Sequence, residues 1–252
     1  MQFNLIRDEL EKYLCDIPLS CPYSLPHQAI YRQALTGRLP DPIMARFLDG
    51  GFRRSGNCIY IMGCRTCNSC VPIRIDPQTF RPNRCQRRAL RHNRDLAVET
   101  GPIEATDEAL RLCSAFLRNR YPGHGNNAEE YYHGFFANRI TDTFEIRYRL
   151  NGRLIGVAVV DVGGSWLNAV YFFFDPQESR RGMGTFNILN LIDHCRQWHI
   201  DHLYLGYWIR EVSAMAYKAN FNPHELLIDG VWQTVAGKRS SAPQPETIST
   251  TA

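Results

Sequence analysis

The chain has 252 residues, 44% of them hydrophobic and 12% aromatic, enough apolar material to bury a core and too much for a disordered chain. A net charge of +4 is mild and by itself says little; its distribution says more. No uncharged apolar run reaches the length of a membrane span, and the first residues lack the apolar stretch of a signal peptide, so the expectation is a cytoplasmic protein with no membrane association. Nine cysteines in a reducing compartment point to metal ligands or free thiols rather than disulfides.

In chain order, the first hundred residues are rich in Cys, Pro and Arg with weak periodicity, which reads as an irregular unit of short helices and strands. A helix is expected over Pro42–Gly51, where Ile43, Phe47 and Leu48 recur before a Gly-Gly stop. Another is expected over Arg84–Asp95. Thr106 caps a helix carrying Leu110, Cys113 and Leu117, and a further helical stretch spans Glu129–Ile140. Phe144, Ile146, Tyr148 and Leu150 alternate with polar residues, Asn151-Gly152 turns the chain, and Leu154–Asp161 returns it, a hairpin signature. A third strand, Leu167–Phe174, leads through Asp175-Pro176 and the glycine-containing Arg180–Gly184 loop into a helix reaching Trp198. A strand over Leu203–Trp208, a short helix near Ala214–Ala219 and a last strand near Glu225–Trp232 follow, with a disordered tail from Ser240.

These elements predict an α+β protein in two units: a Cys/Arg-rich N-terminal unit over 1–103 and a C-terminal unit over 104–239 with a mixed sheet flanked by helices, followed by the tail 240–252.

Three features carry chemistry. Cys64, Cys67 and Cys70 place three thiols in one loop; with a remote fourth such as Cys21 they suit a zinc or iron–sulfur site, the alternative being ordinary thiols. Between Phe52 and Arg94 every cation is an arginine and the sole acid is Asp76. On a helix, Arg84, Arg87, Arg88, Arg91 and Arg94 form one stripe, suited to a phosphate backbone or, alternatively, a solvated face. Third, the strand–loop–helix at Val170–Leu191 offers an anion site at a helix N-terminus. GCN5-related acetyltransferases hold coenzyme A on such a loop, but where they carry Arg or Gln this chain has Ser179.

Together these stretches resemble the aminoacyl-tRNA–protein transferases, specifically the compact bacterial type. The matching residues run from Cys21-Pro22-Tyr23 through Gly51–Gly56, Cys64–Arg74 and Phe80–Leu96. They continue with Tyr171, Asp175-Pro176, Ser179-Arg180-Arg181, Tyr204–Ile209 and Tyr217-Lys218 to Pro223. The resemblance implies that the second half has a GCN5-related acetyltransferase-like fold that accepts the 3′ end of a charged tRNA in place of acyl-coenzyme A. It implies acceptor proteins beginning with Asp or Glu, and a product marked for degradation as an N-degron. Bacterial members are leucyltransferases and eukaryotic ones arginyltransferases, so the layout favours leucine and leaves arginine open. Some eukaryotic relatives carry an iron–sulfur cluster on N-terminal cysteines, which here correspond to Cys21 and the Cys67–Cys70 region. The stretch Arg120–Asn126 departs from the family pattern.

Because an aminoacyl ester is already activated, the reaction needs positioning and oxyanion stabilisation but no cofactor or covalent intermediate. The site residues expected on this basis are Arg53 and Arg54 for the acceptor carboxylate, with Tyr207, Trp208, Tyr217 and Lys218 lining its pocket. Arg180 and Arg181 join Arg84, Arg87, Arg88 and Arg91 on the tRNA, and Asp175 takes the amine's proton. Two other readings compete: an acetyl-coenzyme A-dependent N-acetyltransferase, and a non-enzymatic RNA-binding module with a structural metal.

Overall fold

A computed structural model of the chain describes residues 12–123 and 125–236. The expected tail from 240 onward lies outside the described residues.

The N-terminal stretch is more regular than its periodicity suggests. Strands β1 (Cys15–Ser20), β2 (Gln28–Leu35), β3 (Arg53–Ser55) and β4 (Cys58–Met62) form an antiparallel sheet in the order β1-β2-β4-β3. β1 is exposed along its whole length and β2 only partly covered, so neither shows the clean alternation that marks a half-buried strand. Between β2 and β3, helix α1 (Asp41–Asp49) starts with proline in its first turn and buries Met44, Phe47 and Leu48.

The second sheet has eight strands, in the order β12-β11-β5-β10-β9-β8-β7-β6. Its centre is the meander β7 (Asp142–Leu150), β8 (Arg153–Val162) and β9 (Trp166–Phe174), close to expectation. Asn151 and Gly152, at φ 49° and 83°, make the tight turn their sequence announces. The expected last strand is instead two, β11 (His224–Ile228) and β12 (Val231–Val235), folded about Asp229-Gly230 at φ 50° and 77°. That Asp-Gly pair is the same hairpin signal, weaker in the sequence because the flanking runs are only five residues each.

β5 (Val71–Ile75) lies between β10 (His202–Trp208) and β11, and β6 (Leu96–Gly101) forms the edge beside β7. Both precede residue 103, so the eight-stranded sheet draws strands from either side of the expected unit boundary. One face carries α2 (Arg84–His92) and α4 (Met183–Gln197), and packs Phe186, Leu191 and Cys195 against Ile146, Leu203 and Leu205. The other carries α3 (Asp107–Arg120), capped by Thr106 as expected, and packs Cys113 and Leu117 against Val157 and Phe173. The helical stretch after α3 is a short turn, Ala128–Glu130, continuing as a π-helix over Tyr131–Phe136. A third cluster, of Met44, Leu48, Ile59, Trp166 and Tyr204, joins α1 and the N-terminal sheet to the large sheet. No helix among the described residues is long and apolar enough to cross a membrane.

Candidate active site

Every neighbouring strand pair in the large sheet is antiparallel except β9 and β10. This parallel pair is registered at only three positions, ending at Tyr204 opposite Asn168. Beyond that point β10 is irregular around Gly206 (φ +78°) and turns toward β5, pairing Tyr207 with Pro72. The two strands therefore splay, and the gap is a cleft of about 1030 Å³. Asn168 and Tyr171 from β9, Gly206 and Tyr207 from β10, and the start of α4 line it. Gly182, at φ +66°, closes the turn Pro176–Arg181 and opens α4, so the first-turn N–H groups of Met183, Gly184 and Thr185 lie at the cleft. The helix dipole adds positive potential there.

The two adjacent arginines of β3 have opposite fates. Arg53 is 4% exposed and lines the cleft. It donates through Nη1 to the Phe52 carbonyl at 2.6 Å and through Nη2 to the Gly206 carbonyl at 3.0 Å. Its guanidinium lies 5.7 and 5.5 Å from the ring centroids of Tyr204 and Tyr207. Its Nε is buried without a partner, and among the described residues no carboxylate pairs with it. Burial accordingly lowers its pKa.

Arg54, by contrast, is committed to an internal acid. Its Nε and Nη2 donate to both oxygens of Asp161 at 2.8–3.1 Å, its Nη1 donates to the Phe135 carbonyl at 2.9 Å, and both side chains of the pair are 0% exposed. Asp161 also accepts from Thr143 Oγ1 at 2.6 Å and Asn168 Nδ2 at 3.1 Å. The expected role of Arg54 on the acceptor carboxylate is thus replaced by an internal one. Asp161 and Asn168 were legible only as lone polar residues in otherwise apolar runs, Leu154–Val162 and Trp166–Phe174.

Lys218 lines the cleft beside Arg53, its Nζ donating to the Tyr207 carbonyl at 2.9 Å. Burial, helped by the charge of Arg53, pushes its pKa down to about 7. Tyr207 and Tyr217 also line the cleft, as expected. Trp208 does not: it packs against the core on the α4 face, with Arg210 over its ring.

Asp175 is not at the cleft either. Its carboxylate accepts from the Gln177 N–H at 2.9 Å as the cap of the Pro176–Arg181 turn and pairs with Arg153, so its expected part in proton transfer does not fit its position. Arg181 is likewise committed, forked onto Asp95 at 2.9 and 3.0 Å and bonded to Glu178 at 3.0 Å. Arg180 is exposed, as are Arg84, Arg87, Arg88 and Arg91 along α2. That helix is fixed at both ends beside the cleft. Gln86, completing a capping box with Asn83, donates to the Asn220 carbonyl at 3.2 Å, and Asn93 donates to the Arg181 carbonyl at 2.9 Å.

Cys64, Cys21 and Cys67 all lie near enough to Cys70 to raise its thiol, which burial foremost pushes up to about 12. Among the described residues no three His, Cys, Asp or Glu side chains converge tightly enough to hold a metal ion. Of the divergent Arg120–Asn126 stretch, Arg120 and Tyr121 reach the cleft, while Pro122, Gly123, Gly125 and Asn126 line a smaller cavity of about 480 Å³.

Among the described residues, the lining of the main cleft includes Arg53, Arg54, Arg120 and Lys218 and no Asp or Glu. A strand, a glycine turn, a helix and a parallel strand that splays away from the first give the expected GCN5-related architecture, with the cleft at the splay. The chain belongs to the arginine-tRNA-protein transferase family: residues 19–88 match its N-terminal part and residues 108–228 its C-terminal part. It is 37% identical over 234 residues to an aspartate/glutamate leucyltransferase of Methylobacillus flagellatus, covering 92% of this chain and 91% of that one. A protein of the same name from Thiobacillus denitrificans is 39% identical over 187 residues, covering 73% and 78%. Among solved structures, the GCN5-related glucosamine N-acetyltransferase region of a fungal multi-domain GH3 β-N-acetylglucosaminidase is similar at 15% identity with a TM-score of 0.40, covering 88% of this chain and 24% of that chain.

Two predictions follow from the buried charges. Asp161→Ala strands Arg54 in the interior and is expected to cost about 3–5 kcal/mol in urea unfolding, whereas the double change Arg54→Met, Asp161→Leu recovers a large part of that loss. For Lys218 the folded pKa of about 7 lies below the ordinary 10.5, so between these values the unfolded chain binds more protons and stability rises with pH. Lys218→Met is therefore expected to raise the melting temperature at pH 7, with the gain shrinking as pH approaches 10.5.

Proposed function

We propose that the protein transfers leucine from leucyl-tRNA to the N-terminal amine of proteins beginning with Asp or Glu, leaving an N-terminal leucine that marks them for degradation. The observation that supports this most directly is the cleft's charge: cationic residues line it without a carboxylate, next to tyrosine and phenylalanine rings. An acidic acceptor side chain finds a forked cation there in Arg53. A leucyl side chain finds apolar and aromatic walls, whereas an arginyl donor would meet like charge and no acid.

The chemistry is aminolysis of an ester. The neutral amine attacks the aminoacyl carbonyl, the C–N bond forms, the C–O bond to the terminal ribose breaks, and the ribose oxygen takes a proton. No cofactor is required, since the donor carries its own activation, and the thiol cluster takes no part. The first-turn N–H groups of α4 with exposed Arg180 suit the phosphates of the tRNA 3′ end. Lys218, partly neutral near pH 7, is placed to take the amine's proton and return it to the leaving ribose oxygen. The arginines of α2 then serve the tRNA backbone outside the cleft, and the protein works in the cytoplasm with its charged donor.

The test supplies labelled leucyl-tRNA, arginyl-tRNA or acetyl-coenzyme A with peptides beginning Asp, Glu, Asn or Ala. Label from leucyl-tRNA on the Asp and Glu peptides alone is the expected result; comparable label from arginyl-tRNA overturns the donor reading, and label on the Asn peptide overturns the role of Arg53. Reversing charge along α2 (Arg87→Glu, Arg88→Glu, Arg91→Glu) is expected to raise KM for leucyl-tRNA and flatten its salt dependence by roughly one unit of slope per lost phosphate contact. KM for the acceptor peptide should stay where it was.

A further inference from the structure

Among the described residues three buried polar atoms at the cleft lack hydrogen-bond partners: the Tyr171 hydroxyl, and two that are of opposite kind. One is Arg53 Nε, a donor; the other is Oδ1 of Asn168, an acceptor on a residue 2% exposed. The orientation of the Asn168 amide is forced. Asp161, its neighbour across β8, only accepts hydrogen bonds, so Asn168 must turn its Nδ2 toward that carboxylate and its oxygen away. Asp161 is itself held by two arms of Arg54 and by the Thr143 hydroxyl, so the amide cannot flip without breaking a buried network.

The position of Asn168 is equally specific. It is the last residue of β9 registered with β10, opposite Tyr204, at the vertex where the strands part. Two residues beyond Tyr204, Gly206 holds the Arg53 guanidinium through its carbonyl. Asn168 and the Arg53 guanidinium, which no carboxylate among the described residues neutralises, therefore line the same cleft on either side of the splay. An N-terminal aspartyl residue carries a complementary pair, an amine with hydrogens to donate and a carboxylate to accept, a few ångströms apart.

We propose that Asn168 Oδ1 receives the α-amine of the acceptor protein and aims its lone pair at the ester carbonyl, with Arg54 and Asp161 as positioning residues that lock the amide. This rests on the acceptor reading given above, in which Arg53 takes the acidic side chain. It gives the buried ion pair a functional consequence: the pair does not touch substrate but decides which atom of Asn168 faces it. Because the cleft lining has no carboxylate among the described residues, an amide oxygen is also the right strength of ligand, holding the amine without stabilising its protonated, unreactive form as an anion would.

The experiment measures equilibrium binding to the full chain of two peptides that differ only at the first residue, aspartyl in one and succinyl, which is aspartyl without its amine, in the other. Asn168→Leu is expected to weaken the aspartyl peptide about three- to tenfold, as for one lost hydrogen bond between neutral groups, and to leave the succinyl peptide unchanged. The succinyl peptide thus reports that the variant is folded and its Arg53 site intact. Should Asn168→Leu not fold, Asn168→Ser, which keeps a hydroxyl acceptor, decides the matter with a smaller loss confined to the aspartyl peptide. Equal loss of both peptides, or loss of neither, overturns the assignment while leaving the acceptor reading in place. A loss seen only with leucyl-tRNA assigns Oδ1 to the donor's amine and also overturns it. Failure of the unaltered protein to bind either peptide removes the acceptor reading, and this inference with it.

Discussion

The ion pair between Arg54 and Asp161 is the interaction on which the rest of the structure turns. Arg54 belongs to the small N-terminal sheet and Asp161 to a central strand of the large one, and both are fully buried. Two charges removed from water cost more than their attraction returns unless every remaining valence is satisfied. Here most are: the guanidinium has Asp161 and the Phe135 carbonyl, and the carboxylate has Arg54, Thr143 and Asn168. The partners come from β3, β7, β8, β9 and the π-helix, so the network forms only when both sheets and that helix are in register. An apolar contact at this place could slide; a forked pair cannot.

That dependence explains which parts of the structure were legible in the sequence. The meander β7–β8–β9 alternates or runs apolar with an Asn-Gly turn, and it could be read within a residue or two because its signals are local. The N-terminal sheet could not, since β1 is exposed and β2 only partly covered. Nor could the insertion of β5 between β10 and β11, a pairing of segments more than a hundred residues apart. The site divides in the same way. Residue type and spacing picked out Arg53, Lys218, Tyr207 and Tyr217, which the fold brings to one cleft. They equally picked out Arg54, Arg181 and Asp175, whose chemistry is suitable but is consumed by Asp161, Asp95 and Arg153. A sequence states what a side chain can bind and not whether the fold has already supplied the partner.

The arginine helix shows how one element serves two ends. Its capping box and its C-terminal asparagine tie it to Asn220, which follows Lys218, and to Arg181, which precedes Gly182. Both tied segments border residues that line the cleft, so α2 stands rigidly beside its mouth with its arginines turned to solvent. On the function proposed above, a phosphate backbone lying along those arginines has its register relative to the cleft set by two hydrogen bonds.

The unbalanced charge of the cleft completes the argument. Arg53 and Lys218 both line the cleft, withdrawn from water, with backbone carbonyls for partners and no acid among the described residues. In a fold under selection for stability alone, a carboxylate here would neutralise them, as Asp161 does for Arg54 one residue away. The contrast between these neighbouring arginines separates two uses of the same side chain. One charge is cancelled inside the protein, and it fixes the sheets and the Asn168 amide. On the function proposed above, the other is left for a carboxylate that arrives with the acceptor, and selectivity then follows from what the fold withholds as much as from what it offers.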